Sequence, residues 1–338
     1  MELIEILKAV CSEKAVSGNE NTFFGALSAL LPKGSSTQRD KIGNTYIKLG
    51  PQGAEHSVLL DAHCDQIGFV VTDICSNGFL KVAAVGGIDA RTLYGERVEV
   101  FGKQTLNGVF GAIPPHLQKE GDRDKYVKTE DLAIDTGLSK DEVCALVSRG
   151  DFVCVKSNFM LLNENKVCSA GLDNKAGVAV LLYVLNKLTE LKNTEVTLLL
   201  SVQEELGLRG AAAAEKAADA IICVDASFAS YVGCPLEKTG KMAKGAMLGH
   251  SPVLSRSLTD ALENIAVKND IPLQHEILPD LTGTNADRLS LRAGGANCAL
   301  ISFPLLNMHS AVEMLDLRDL YSIADIIEGY IKEVDRVA

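Results

Sequence analysis

Glu195-Val-Thr-Leu-Leu-Leu-Ser-Val202 is an apolar run of strand length that passes directly into Gln203-Glu204-Glu205 and then into a helix-length segment, Gly207 to Ala217. A short run of this kind, without polar alternation, suits a strand covered on both faces. The same pairing of apolar run and chemistry-bearing end recurs. Ser57-Val-Leu-Leu60 leads into Asp61-Ala-His63-Cys-Asp65, Ala220 to Val224 leads into Asp225, and the run Asn297 to Phe303 is followed by His309. Amphipathic segments of helical length lie at Asn174 to Leu188, Ser257 to Val267 and Leu317 to Ile331. Strands alternating with helices predict an α/β fold, a parallel sheet with helices on both faces.

Toward the N-terminus, Leu3, Ile6, Leu7 and Val10 carry a helical stripe, and Phe23 to Leu31 follows it. From Ile67 to Lys156 the pattern changes. Short segments (Phe69 to Val71, Leu80 to Val85, Arg97 to Phe101, Gly108 to Ile113, Phe152 to Val155) are broken by glycines, which predicts a small β-rich unit inserted into the α/β region.

Composition narrows the function. The chain has 338 residues, 47% hydrophobic and 23% charged, with a formal net charge of −11. That length suits about two domains, and the negative charge disfavours nucleic acid, whose binding relies on basic groups to release counterions. Nine cysteines, an odd number without a C-x-x-C pair, point to a reduced, cytoplasmic protein. Glu2 and Glu5 interrupt the N-terminal apolar pattern, so no secretory signal is expected. No apolar run approaches the ~18 residues of a membrane span, so no membrane anchor is expected.

In an extended chain residues two apart share a face, so His63 and Asp65 point the same way. Open α/β sheets bind ligands at the carboxyl ends of their strands, which would gather these clusters on one rim. Asp173, in Gly171-Leu-Asp-Asn-Lys-Ala-Gly177, adds a further carboxylate at a helix start. His63, Asp173, Glu205, Asp225 and His309 together make two imidazoles and three carboxylates. That set suits two borderline divalent cations with one shared carboxylate. Without cations, so many acids in a partly buried site would be costly.

Taken singly, each residue has a plainer explanation. An isolated His63 or His309 reads as a hydrogen-bonded structural histidine, Glu204-Glu205 as acids in a first helical turn, and Asp173 or Asp225 as an N-cap. Their joint placement after buried runs favours a site. Cys64 and Cys223 read as core residues. His56, His116, His250 and His275 show no carboxylate partner in the pattern, and His116 reads as structural within its Pro-Pro-His turn. His275-Glu276 does not continue as H-E-x-x-H, and neither a G-x-x-x-x-G-K-[ST] loop nor a G-x-S-x-G elbow occurs.

Asp61-Ala-His-Cys-Asp-Gln-Ile-Gly68, Leu172-Asp-Asn-Lys-Ala-Gly177, Gln203-Glu-Glu-Leu-Gly-Leu-Arg-Gly-Ala211, Val224-Asp225 and Met308-His-Ser-Ala-Val-Glu313 resemble, in order and spacing, the tetrahedral (TET-type) dinuclear metallo-aminopeptidases, which include glutamyl aminopeptidases and endoglucanase-labelled homologues. Val85-Gly-Gly-Ile-Asp89, Pro114-Pro-His116 and Gly283-Thr-Asn-Ala286 extend the likeness over nearly the whole chain. The resemblance implies a three-layer α/β/α peptidase domain of residues 1–66 plus 158–338. It also implies a small β-barrel at residues 67–157, used in dimerisation, and dimers that assemble into a hollow dodecamer. By position, His63 and Asp225 would hold one metal, Glu205 and His309 the other, and Asp173 both. Glu204 would be the general base and Asp65 would orient His63. The implied cofactors are two divalent metal ions per subunit, zinc or cobalt first and manganese as a further candidate. The implied reaction removes N-terminal residues from short peptides with a free N-terminus by way of a metal-bridging water.

The chain departs from the family pattern at Gln66 for Glu, Asn174 and Lys175 for Asp and Arg, Asn285 for Asp, and Ala311 for Pro. The lost charge at position 285 bears on the expected substrate pocket. Two other readings remain open: a metal-dependent deacylase or glycan hydrolase on the same scaffold, and a non-catalytic binding protein. Glycan cleavage needs two metal-free carboxylates flanking the bond, whereas these acids look committed to cations.

Overall fold

A computed structural model describes residues 1–111, 113–117, 127–156, 158–188, 190–215 and 218–337. Its centre is an eight-stranded sheet in the order 36–39, 45–49, 194–201, 56–63, 220–228, 298–305, 246–250, 273–277. Strands 194–201, 56–63, 220–228 and 298–305 run parallel. The expected all-parallel sheet is in fact mixed. Thr45–Leu49 joins antiparallel to Thr194–Ser201, and Ala246–His250 antiparallel to Cys298–Leu305. Both joining strands were too short and too weakly apolar to stand out as buried runs.

Alternation along the central strands divides them between two cores. Val58, Leu60, Val196, Leu198, Leu200 and Ile222 face helices Leu3–Ser12, Leu172–Lys187, Arg256–Lys268 and Leu317–Arg336. Leu59, Leu199, Ile221 and Leu300 face the other side, where the short helices Arg209–Ala213 and Ala286–Leu289 pack. The result is the α/β/α layering. Leu172–Lys187 is buried on nearly all sides because it lies between the sheet and two outer helices, which is why its apolar residues form no single stripe.

Strands Gly68–Ile74, Leu80–Val85, Ala133–Asp135, Thr105–Gly111, Arg97–Phe101 and Phe152–Val155 close a six-stranded barrel in that order. Its core is its own, built from Phe69, Val82, Val98, Phe110, Ile134 and Val153, with the Phe69 and Phe110 rings edge to face at 5.0 Å. The chain enters and leaves the barrel side by side, since Phe69 pairs with Val153.

Other expectations shift in detail. The helix anticipated over Gly207 to Ala217 is a short helix, Arg209–Ala213, preceded by a tight turn at Glu204–Leu206, and Lys216 and Ala217 lie outside the described residues. The strand expected over Gly108 to Ile113 runs Thr105–Gly111, with Ala112 outside the described residues. A small antiparallel sheet of Met160–Leu162, Lys166–Ser169 and Glu313–Asp316 was not anticipated. Among the described residues no helix is long and apolar enough to cross a membrane.

Candidate metal centre

Strand His56–His63 ends on a buried imidazole. His63 Nδ1 lies 3.1 Å from the Asp65 backbone oxygen and 3.5 Å from its carboxylate. Facing an acceptor, Nδ1 carries the proton of the neutral ring and the Nε2 lone pair is left free. Nε2 sits 3.2 Å from Asp173 Oδ1, 3.6 Å from Asp225 Oδ1 and 4.0 Å from Glu204 Oε2. His309 repeats the plan. Its Nδ1 is 2.7 Å from the Gly87 oxygen, and its Nε2 is 3.0 Å from Glu205 Oε1 and 3.4 Å from Asp173 Oδ2.

Asp173 therefore turns one oxygen to each imidazole. Two donor triads result, His63–Asp173–Asp225 and Asp173–Glu205–His309, each with its donor atoms within 4.8 Å of one another. In neutral imidazoles both Nε2 lone pairs would face carboxylate oxygens, a repulsive arrangement that a cation between them relieves. The donor chemistry thus fits two borderline divalent ions sharing Asp173. Glu204 belongs to neither triad.

Without such ions, protons are drawn in. Burial lowers the affinity of His63 for a proton, but Glu204, Asp173, Asp225 and Asp65 reverse this and raise its pKa well above 6.5. Burial likewise opposes protonation of His309, yet Asp173 and Glu205 push it up to about 11. Burial, followed by the charges of Asp225, Glu205 and Asp173, lifts Glu204 to about 9. Asp173 is also buried, but its hydrogen bonds to His309 and His63 outweigh that and hold it below the ordinary carboxylate range.

A layer of hydrogen bonds positions these groups. The Asp65 carboxylate accepts from Ser17 Oγ (2.6 Å), Glu204 N (3.0 Å) and Glu205 N (3.2 Å). Gln203, with φ 54°, turns the chain sharply after the strand so that both amides reach Asp65. The buried Glu313 carboxylate accepts from His309 N (2.8 Å) through one oxygen and from Asp173 N (3.2 Å) through the other. Sequence reasoning assigned no role to Ser17, Glu313 or Gly87. Glu313 closes the His309 string and Gly87 lies in Val85-Gly-Gly, whereas Ser17 had no local signal.

The departures from the family pattern also find places. Gln66 and Lys175 meet, the ammonium donating to Gln66 Oε1 and, at 2.7 Å, to the Glu13 oxygen. Asn285 is buried and donates to Asp61 Oδ2 (3.0 Å) and Ser201 Oγ (2.7 Å). It therefore lies behind the strand ends, so the charge lost at position 285 is not lost from the cleft wall itself. Its neighbours Thr282, Gly283 and Thr284 line the cleft instead. This cleft, of about 700 Å³, opens over both triads, with Phe228, Met247, Leu278 and Met308 supplying apolar wall and Glu276 an acidic one.

Known proteins share this architecture. A lysyl aminopeptidase of Pyrococcus furiosus is 29% identical, with 98% of this chain and 97% of that protein aligned. The solved structure of an aminopeptidase from the archaeon Desulfurococcus kamchatkensis superposes with a TM-score of 0.90 at 30% identity, covering 98% of this chain and 94% of that one. A TET1 peptidase of Pyrococcus horikoshii, described as able to assemble into a tetrahedron or a large octahedral shell, gives 0.84 at 35% identity over 97% and 98% of the two chains. The family model for M42 glutamyl aminopeptidases matches residues 43–326, and the chain belongs to that family of peptide hydrolases.

Proposed function

We propose that this aminopeptidase works with two divalent cations, held by His63 and Asp225 on one side, by Glu205 and His309 on the other, and by Asp173 between them. The observation that carries the reading is the orientation of Asp173, one oxygen toward each imidazole. Zinc or cobalt, with manganese as a further candidate, would polarise the scissile carbonyl, anchor the free amino terminus of a short peptide and acidify the attacking water.

Glu204 is placed beside the His63 triad and outside it, so its carboxylate stays available to take a proton from water and deliver it to the leaving amine. Asp65 holds Glu204 and Glu205 by their amides, which lets adjacent acids take different roles. It also faces His63 Nδ1 and keeps that ring's other nitrogen toward the carboxylates. We assign residues 1–66 and 158–338 to the catalytic domain and 67–157 to a barrel domain that mediates dimerisation. The tetrahedron named for the Pyrococcus horikoshii relative supports a closed homo-oligomer, which we read as a dodecamer of such dimers. Nine free thiols suit a cytoplasmic setting.

The test uses purified protein loaded with zinc, cobalt or manganese and assayed on aminoacyl anilides, N-acetylated peptides and cellulose oligomers. Free-amine substrates are expected to be cleaved, and Glu204→Gln to lower turnover by about 10²-fold or more while metal content is retained. Wild-type turnover in that variant would remove Glu204 as the base, and preference for a blocked amine would favour a deacylase.

A further inference from the structure

We propose that His250, Glu263 and His275 form a separate cation site for one divalent ion of the zinc type, on the outer part of the sheet. His250 ends strand Ala246–His250, and His275 lies in the parallel edge strand Leu273–Ile277. The register sets Leu248 opposite His275 and His250 opposite Ile277, so the two imidazoles project from the same face, one pleat apart. Helix Arg256–Lys268 brings Glu263 to that face.

The donors converge. His250 Nε2 is 2.9 Å from His275 Nδ1, Glu263 Oε1 is 3.8 Å from His275 Nε2, and one donor atom from each residue lies within 4.8 Å of the others. A hydrogen-bonded relay explains only part of this, because 3.8 Å is too long for the Glu263 end of it. Tetrahedral ligation at about 2.0–2.2 Å needs donors roughly 3.3–3.5 Å apart. The 2.9 Å and 3.8 Å contacts end on opposite nitrogens of His275, of which one ion takes only one, so ligation parts the two imidazoles slightly and brings Glu263 round to the shared nitrogen. Rotation of side chains can close the difference, since those of His275 and Glu263 are 47% and 34% exposed. Arg256 and Asp260 also act on His250, but they pair with each other at 2.7 Å, which leaves Glu263 as the uncompensated charge facing the rings.

The fourth position would be open to water. Such an ion would tie helix Arg256–Lys268 to the edge strand, and its ligand His275 lines the substrate cleft together with the residues that follow it, Glu276, Ile277 and Leu278. Leu278 N also donates to the His250 oxygen at 2.9 Å, so the brace and the cleft wall share backbone.

Full-length wild type, the double variant H250A/H275A and Glu263→Gln are saturated with zinc, freed of loosely held ion by gel filtration, and their zinc per chain is counted by plasma mass spectrometry. Wild type should retain one equivalent more than H250A/H275A, and Glu263→Gln should release that equivalent at a zinc-chelator concentration at least 10-fold lower. Cobalt loading supplies a second readout, with the visible absorption of a four-coordinate ion in the wild type minus double-variant difference spectrum. Equal zinc counts in folded wild type and folded H250A/H275A, as judged by circular dichroism, would overturn the proposal, as would a featureless cobalt difference spectrum.

Discussion

At the scale of single residues, the site depends as much on who holds the donors as on the donors themselves. Glu313 grips the amides of His309 and Asp173 at once, so it sets the spacing between one imidazole and the shared carboxylate. Glu313→Gln would present an amide N–H₂ to one of those backbone donors and lose an acceptor. We expect this variant to bind zinc or cobalt 10–100-fold more weakly, as measured by chelator competition, and an unchanged affinity would contradict the role. His63, Glu205 and Asp225 stand out in the chain because each closely follows an apolar run, whereas Asp173 and His309 stand out only through the motifs around them. Ser17 does not, since only the folded chain brings it 2.6 Å from the Asp65 carboxylate, 48 residues away. His250 and His275 were likewise read as lacking carboxylate partners, because Glu263 reaches them from a helix that separates them in sequence.

At the scale of elements, the strand Thr194–Ser201 and the turn after it show why some boundaries were legible and others were not. Leu80–Val85, Arg97–Phe101 and Phe152–Val155 fall where apolar alternation places them. The helix expected over Gly207 to Ala217 is shortened at its start because Gly207 and Leu208 adopt positive φ, so that it begins only at Arg209. Those local constraints overrode helical propensity. Two glycines in this turn differ in a testable way. A Cβ on Gly207, at φ 96°, would meet nothing within 4 Å, whereas one on Gly210 would lie 2.3 Å from the Val202 oxygen and 2.5 Å from Asn44 Oδ1. Gly207→Ala should therefore cost about 1 kcal/mol of backbone strain, and Gly210→Ala about 1–3 kcal/mol through overpacking. Thermal or denaturant unfolding should rank Gly210→Ala as the more damaging, and the reverse order would refute this account of the turn.

At the scale of the molecule, the break from long apolar runs to short glycine-rich segments marks an inserted β-rich unit, whose closure into a barrel only the resemblance implies, and the mixed sheet and the small sheet at Glu313–Asp316 leave no such mark. Their strands are short, and their partners lie far apart in sequence. The barrel carries partly uncovered apolar side chains, Tyr94, Val109 and Leu117 among them, as a surface that meets another subunit would. Light scattering on purified protein is expected to give the mass of a dodecamer, or of a dimer where assembly is incomplete. A stable monomer at micromolar concentration would contradict the proposed role of residues 67–157.

The barrel also reaches into the chemistry, for the carbonyl of Gly87, just beyond strand Leu80–Val85, fixes the ring of His309. Linkage makes that contact a two-way bargain. Whatever factor the seating of the barrel adds to ion affinity, ion binding must return to the seating. With the proposed ions bound, their removal should thus loosen the joint between the two lobes, and with it any contacts between copies made through the barrel, so that chelation is felt as a lower mass in light scattering as well as lost turnover.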